Sequence, residues 1–593
     1  MILQALKEYY DRKVLDSNND IAPEGFEKKE LPFLIVINED GDFINIEDTR
    51  EIVGNKLVGK MFLLPRSFKR SGSKSYEKTF LLWDHIGYLL GLPTNDEKSA
   101  KQHQTWLKML ENFPQELTED VGVNAIRQFY NRGEDKKAVA EPEIKECLKA
   151  TSRNMSFCLV SDLPVPCRKA VHEHVKNNLN KLVSSNTEKS PEESNRTPKG
   201  GTCLITGDTG VVVRIHGQTP IDKDANSLVS FQKNSGYDSY GKEQGHNAPI
   251  IESTEFAYIT ALNTLLKSKS QRLLIGDAST VFWSEKQTSF ESDFSSFFTE
   301  PEKDDPNLKT QKVRTLFKSV ETGAYVENDG DTQFYILGLS PNKNRIAVRF
   351  WQAGAISEFA KRIKQYFEDF AIIKPPNELE YYSVWRILVN IADQDDSKNI
   401  PPNLAGEFMR SIFNGTPYPA ALLQAAICRI RSDTKNRVKP VRAAVIKAYL
   451  NRYYRFYPNK SQKEVTMEQD IFQPSTGYQL GRLFAVFEKI QEEASHGINA
   501  TIRERFYGAA SGTPVTVFAQ LLRLKNHHLA KLKNKGRVIF FEQLLGDIMG
   551  KITDFPSTLN LHEQGLFAIG YYHQRQAFFK KKNDEVSQGV RYK

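Results

Sequence analysis

The sequence predicts an α+β protein: a mixed N-terminal body of short β-sheets and helices, followed by an all-α C-terminal helical bundle. Three observations carry this. Short β-branched and aromatic runs, bounded by turn residues, recur as far as Trp351. From Ala355 onward apolar residues fall three and four apart, the period of an amphipathic helix. The chain is also long and apolar enough for several packed cores: 593 residues, 39% hydrophobic and 26% charged, predict about three or four domains.

The elements follow in order. MILQALKEYYDRKVL reads as an amphipathic first helix, with charges throughout and without the long apolar centre of a signal peptide. Leu31–Ile37 and Phe43–Ile46 read as strands joined over Asn38-Glu39-Asp40-Gly41-Asp42, since Asp-Gly is a strong hairpin signal. Met61–Leu64 is a third run, and helical patterns then cover Thr79–Leu90 and Lys98–Tyr130. Phe157–Val160, Cys203–Thr206, Val211–Ile215, Leu228–Gln232, Leu273–Ile275 and Thr280–Trp283 are predicted strands. Phe334–Leu339 and Arg345–Trp351 make a predicted hairpin. Asn177–Gly201 is too polar to bury and is expected to be a mobile loop. Helices are predicted at 355–373, 380–393, 417–432 and 438–455, then a polar break from Pro458 to Pro474. The bundle comprises 477–495, 500–510, 515–533, 540–552 and 562–581. The resulting division is 1–150, an α+β region with a basic loop; 151–354, β-rich with a Gly-rich loop at 239–249; 355–457, helical; and 467–593, the bundle.

Several function classes are disfavoured. Five cysteines in 593 residues make no disulfide framework and fit a reducing cytoplasm. No run reaches the roughly 20 apolar residues of a spanning helix, so no membrane partner is expected. Gly54–Met61 nearly spells a P-loop, but Met61 stands where Ser or Thr would hold Mg²⁺, and the segment reads as a basic turn between strands. Cys158, Cys167, His172, His174 and Cys203 lack the close pairing of zinc knuckles, and the cysteines read as small buried hydrophobes in strands. No catalytic residue, metal or cofactor is expected.

Three segments have the composition of nucleic-acid contacts. Pro65–Lys78 holds Arg66, Lys69, Arg70, Lys74 and Lys78 against one acid, with Phe68 and Tyr76 able to stack on bases. A solvated surface loop is the competing reading. Ser239–Pro249 places Lys242, Gln244 and Asn247 between Gly241 and Gly245, which permit close backbone approach. Such amides donate to base edges or phosphates; an ordinary Gly-rich turn is the alternative. Arg523–Arg537 carries six cations and no acid, among them Arg523, Lys525, Lys531 and Lys533. It suits a phosphate track, a partner-docking face or a solvated face. The net charge of +8 is mild, so only this clustering argues for nucleic acid.

MILQALKEYYDR, IAPEGFEKKELPFLIVINEDGDF (21–43), SYGKEQGHNAP (239–249), IGDASTVFW (275–283) and GLFAIGYYHQRQAFF (565–579) resemble the large subunit of the type I-C CRISPR surveillance complex, Cascade (the Csd-type member of Cas family eight, subtype c). The resemblance covers nearly the whole chain. It implies antiviral defence: a non-enzymatic subunit that reads the PAM flanking motif in duplex DNA while guide RNA reads the target sequence. It further implies help in unwinding the target into an R-loop, a hold on the displaced single strand, and recruitment of a helicase–nuclease. Implied partners are the guide RNA, the Cascade backbone subunit and the subunit at the guide's 5′ handle. Related large subunits probe the minor groove with a Gly-rich loop, a Lys and a Gln wedge; Gly241, Lys242, Gln244, Gly245 and Asn247 supply those residue types here. Arg66, Lys69, Arg70 and Lys74 are candidate contacts to duplex phosphates. The resemblance also implies a small subunit translated from within the same gene. Lys463-Glu464-Val465-Thr466-Met467 permits a ribosome-binding sequence before Met467, giving a 467–593 product. The alternative function is a scaffold for guide-RNA and protein assembly that reads no PAM. A nuclease or ATPase with an unfamiliar site is the third reading.

Overall fold

The computed structural model describes residues 2–16, 21–53, 56–68, 70, 75–179, 200–221, 226–232, 235–237, 240–275, 278–297, 318, 320–323, 329–343, 345–433, 437–459, 462–495, 497 and 500–579. These form the α+β protein that the patterning predicts, and the C-terminal part is helical. The chain divides into two compact units: Leu3–Thr219 with Ser227–Thr264, and Pro220–Asn226 with Leu265–Lys593.

The first unit is built on a four-stranded sheet in the order Phe43–Asp48, Phe33–Ile37, Asn154–Leu159, Trp83–His85. The predicted hairpin is present: Phe33–Ile37 pairs antiparallel with Phe43–Asp48, and the Asn38 side chain bonds Asp42 across the turn. Phe33–Ile37 runs parallel to Asn154–Leu159, which requires a long crossover. Helices Glu97–Glu111 and Val121–Asn131 lie within it. Trp106, Ile126 and Phe129 pack with Phe33, Ile35, Ile37 and Phe157 in one core.

Local chemistry divides several runs that the pattern joins. Pro32 lacks an N–H and splits Leu31–Ile37. Strand Phe26–Leu31 turns away to pair with Lys60–Pro65. Of the helix predicted over Thr79–Leu90, only Ile86–Leu90 is helical. Trp83–His85 is a strand, because Trp83 Nε1 donates to Pro65 O at 2.9 Å and the buried Asp84 draws in its own donors. Lys98–Tyr130 breaks at Pro114 and again at Asp120, which caps Val121–Asn131 through the Gly122 and Val123 N–H groups. Cys203–Thr206 is a turn and not a strand: Cys203 N donates to Asp208 O, and Gly207 takes φ +79°. Strands Gly200–Thr202 and Thr209–Val211 flank it. Leu228–Gln232 forms no strand. Gly54 and Asn55 lie outside the described residues. Lys60 opens strand Lys60–Pro65, where a P-loop would open a helix.

The second unit starts with an antiparallel meander, Arg272–Ile275, Ala278–Ser284, Gln333–Asn342 and Arg345–Ala355, in sequence order. The last two are the predicted hairpin. Phe282, Phe334 and Ile336 share a core with Ile356, Phe359 and Ile363 of helix Ile356–Phe370. In the bundle, Thr476–Ala494 and Leu561–Ala577 approach until backbones touch. A Cβ on Gly481 would stand 2.0 Å from Phe567 O, and one on Gly570 2.1 Å from Tyr478 O. Ser475, Asn560 and Thr501 cap the helices they precede, Thr501 in a capping box with Glu504. Glu488, fully buried, accepts from Tyr571 Oη (2.6 Å) and Thr501 Oγ1 (2.8 Å).

Candidate nucleic-acid interface

The Gly-rich loop is held shut at its base and open at its tip. Gly245 N donates to Arg214 O at 2.9 Å, Val213 N donates to Ile250 O at 3.0 Å, and Val212 pairs with Ile251. A Cβ at Gly245 would stand 2.2 Å from Val213 O, so only glycine lets the loop close on this segment. Gln244 is left-handed (φ +47°), costing on the order of 1 kcal/mol for a residue with a Cβ. Two contacts hold it there: Arg214 Nη1 donates to Gln244 Oε1 at 2.6 Å, and Asn247 Nδ2 donates to Gln244 O at 3.1 Å. At the tip, Tyr240 and Gly241 are left-handed as well (φ +52° and +68°). Tyr240 is 98% exposed, and Lys242 is exposed beside it.

The basic segment is divided. Lys69 and Lys74 lie outside the described residues. Arg66 is 40% exposed, 3.6 Å from Glu255, with its guanidinium 4.7 Å from the Phe256 ring centre. Arg70 turns inward. It donates to Asp84 at 2.7 Å, lies 3.6 Å over Phe80 and 4.4 Å over Tyr88, and keeps 13% of its side chain exposed. Phe68 is partly buried and packs edge-on against Phe80, so this aromatic already has a partner within the chain.

One helix links the two segments. Glu252–Lys267 begins just after Pro249-Ile250-Ile251 and carries the Glu255 and Phe256 that receive Arg66. Its first turn is electrostatically crowded. Burial, with the charge of Glu255 behind it, pushes the Glu252 carboxyl up to about 7, against the opposing pull of Arg66. Burial raises Glu24 as well. Thus Arg66 is the cation of an acidic cluster and is also half free to face solvent.

In the bundle, Arg523, Lys531 and Lys533 are exposed, while Lys525 is nearly buried and 3.5 Å from Glu542. Arg537 closes the stretch with two bonds to Glu493, at 2.7 and 2.8 Å, beneath Phe540 and Phe541. Arg575 is likewise held by Glu492. Of the exposed cations, Arg523 lies in the first half of helix Phe518–Lys531, Lys531 at its C-terminal end and Lys533 in the turn that follows.

Among the described residues no group of three His, Cys, Asp or Glu side chains could hold a metal ion. Cys158 is buried in its strand, and Cys203 sits in the turn whose Leu204 N–H donates to Pro249 O. Among these residues, too, no helix is long and apolar enough to cross a membrane.

Two residues escaped the sequence reading. Arg214 lies 30 positions from Gln244, and nothing local in the sequence marks the pair. Tyr240 was legible as an aromatic beside glycine, but only the backbone shows it left-handed and fully exposed.

A comparison with curated proteins found no match. The profile of one family, described as CRISPR-associated protein (Cas_Csd1), matches residues 6–579, which include both loops, the linking helix and the bundle. With that span matched, the chain belongs to the CRISPR-associated Csd1 family.

Proposed function

We propose that this chain is the type I-C Cascade large subunit that reads the PAM in duplex DNA, with Lys242, Gln244 and Asn247 of the Gly-rich loop as the reading residues. The observation that carries this is the loop itself. Gly245 and Arg214 clamp its base, and the clamp presents polar groups and an exposed aromatic that serve no core. Exposed, strained backbone of this kind is expected at a ligand clamp. A Gln inserted beside the first base pairs would offset the unstacking cost with new contacts. Arg66 with Lys69 and Lys74 would meet duplex phosphates, while Arg70 shapes the segment from inside. Arg523, Lys531 and Lys533, with Lys525 behind them, would track the displaced strand by counterion release. In this reading the subunit catalyses nothing, acts in the cytoplasm, assembles with the guide RNA, the backbone and the 5′-handle subunit, recruits the helicase–nuclease, and is accompanied by a 467–593 product.

The test is binding of the guide-RNA complex, assembled with and without this subunit, to matched duplexes that carry or lack a PAM. Loss of PAM-dependent affinity without the subunit, and with Lys242→Ala and Gln244→Ala, supports the reading. Unchanged discrimination moves PAM reading to another subunit. One observation favours the scaffold alternative: Arg70, Lys525, Arg537 and Arg575 are all engaged with carboxylates, which reduces the charge available to phosphates.

A further inference from the structure

Gln244 has an amide with two different ends, and the structure uses one of them. Arg214 Nη1 lies 2.6 Å from Gln244 Oε1. A guanidinium only donates, so the atom facing it must be the amide oxygen, and Nε2 is the end left for a ligand. The backbone at Arg214 is fixed, because its carbonyl accepts the Gly245 N–H and the neighbouring Val213 N–H is bonded to Ile250 O. Rotation of the amide would set its N–H₂ against the guanidinium, donor against donor.

We propose that Arg214 is a positioning residue that fixes the Gln244 amide so that it presents its N–H₂, a donor, to the duplex. A free glutamine can pair with adenine in the major groove using both ends, donating to N7 and accepting from N6. Arg214 takes one lone pair of Oε1 and keeps the amide from turning over, so the contact Gln244 offers first is donation from Nε2. That donor needs a base-edge acceptor. The edge that offers acceptors alone is the minor-groove face of an A·T or T·A pair, adenine N3 and thymine O2. A G·C pair sets the guanine 2-amino group there, a donor facing a donor. Gln244 is thereby tuned to a duplex step without that amino group. This rests on the reading that the Gly-rich loop meets the PAM duplex.

The experiment uses the assembled guide-RNA complex and matched duplexes in which each PAM pair is replaced in turn by G·C or by inosine·C. Inosine lacks the 2-amino group and otherwise keeps guanine's edge. At one position the unaltered complex should bind G·C about 5- to 100-fold more weakly than inosine·C, the span of one discriminating contact. Arg214→Met frees the amide to rotate and should collapse that ratio to about twofold or less. Arg214→Lys, still only a donor, should keep most of it. Gln244→Glu, an acceptor-only side chain paired to Arg214, should invert it and stands in if Arg214→Met does not fold. No difference between G·C and inosine·C at any position, or an unchanged ratio in Arg214→Met, overturns the proposal. If Gln244→Ala loses PAM discrimination while Arg214→Met keeps the ratio, only the positioning role fails. If Gln244→Ala changes nothing, the reading of the loop fails with it.

Discussion

Arg70 Nη2 donates to Asp84 Oδ1 at 2.7 Å, and Asp84 is 1% exposed. The same carboxylate accepts from Thr79 Oγ1, Phe80 N and His85 N. Burial pushes the Asp84 carboxyl up, and Arg70 is the largest influence holding it down. Removing one partner of a buried pair leaves the other charge stranded, which typically costs about 3 kcal/mol or more. Arg70→Ala should therefore lower the stability of the first unit by about 3 kcal/mol in urea unfolding. A loss below about 1 kcal/mol would assign Arg70 to the surface.

Glu252 supplies a pH test with a definite sign. Its carboxyl is raised to about 7 in the folded chain, from an ordinary value of 4.5, chiefly by burial. Between those values the folded state binds more protons than the unfolded state, so stability falls as pH rises through the window and the loss is complete above it. Gln is neutral throughout. Glu252→Gln should be more stable than the parent at pH 8, by on the order of 1 kcal/mol after solvent screening, and should lose most of that advantage by pH 5. Thermal melts at both values decide it: an equal difference at each pH refutes the assignment.

The legible parts of the fold share one property, which is that neighbours in sequence decide them. Asn38 and Asp42 close their hairpin within five residues, and the bundle helices follow the apolar period and carry their own caps. Misreadings occur where a distant group intervenes. Thr79–Leu90 has a helical pattern, but Trp83 answers to Pro65 and pairs with Ser156. Pro32, visible in the sequence, should have split Leu31–Ile37, and the strong β run outweighed it. The candidate site divides in the same way. The donors of 239–249 are a matter of composition, whereas the Arg214 contact that orients Gln244 is a matter of tertiary pairing.

Under the PAM-reading proposal, Tyr240 would part a base step. A tyrosine that is left-handed and 98% exposed gains nothing from folding where it stands. Under the PAM-reading proposal its ring would insert at the first pairs to be opened, where unstacking costs a few kcal/mol. Tyr240→Ala should slow R-loop formation about tenfold, followed by 2-aminopurine fluorescence beside the PAM, and a pre-opened bubble should restore the rate. Failure of the bubble to rescue the variant would remove the wedge role.

Glycines in the bundle make a matched pair of tests. Ala is the better helix former by about 1 kcal/mol, so a helical Gly kept against that preference needs a reason. Gly481 has one, since its Cβ would meet Phe567 O at 2.0 Å, while at Gly508 a Cβ meets nothing within 4 Å. Gly481→Ala should destabilise the bundle by about 2 kcal/mol or more, because the helices must separate. Gly508→Ala, in helix Ile502–Gly512, should stabilise it by about 0.5–1 kcal/mol. Equal effects in denaturant melts would show that backbone contact between the two long helices is not what holds them.

Met467 tests internal translation without disturbing the fold. Met467 is 51% exposed, and its backbone carbonyl accepts from Ile373 N at 2.9 Å. Met467→Leu keeps that carbonyl, and a surface exchange of this kind should change stability by less than about 0.5 kcal/mol. It removes the Met467 codon at which the 467–593 product would start. A tag at the C-terminus should then report full-length chain in unchanged amount and no short band. The internally started product has a further consequence: helix Leu561–Ala577 packs through Gly565 against Ile446, Leu423 and Leu450 of the preceding helices, none of which the product contains. The product should therefore be soluble only when another chain covers that face, and should pellet when expressed alone. A short band that persists in Met467→Leu rules out this start site.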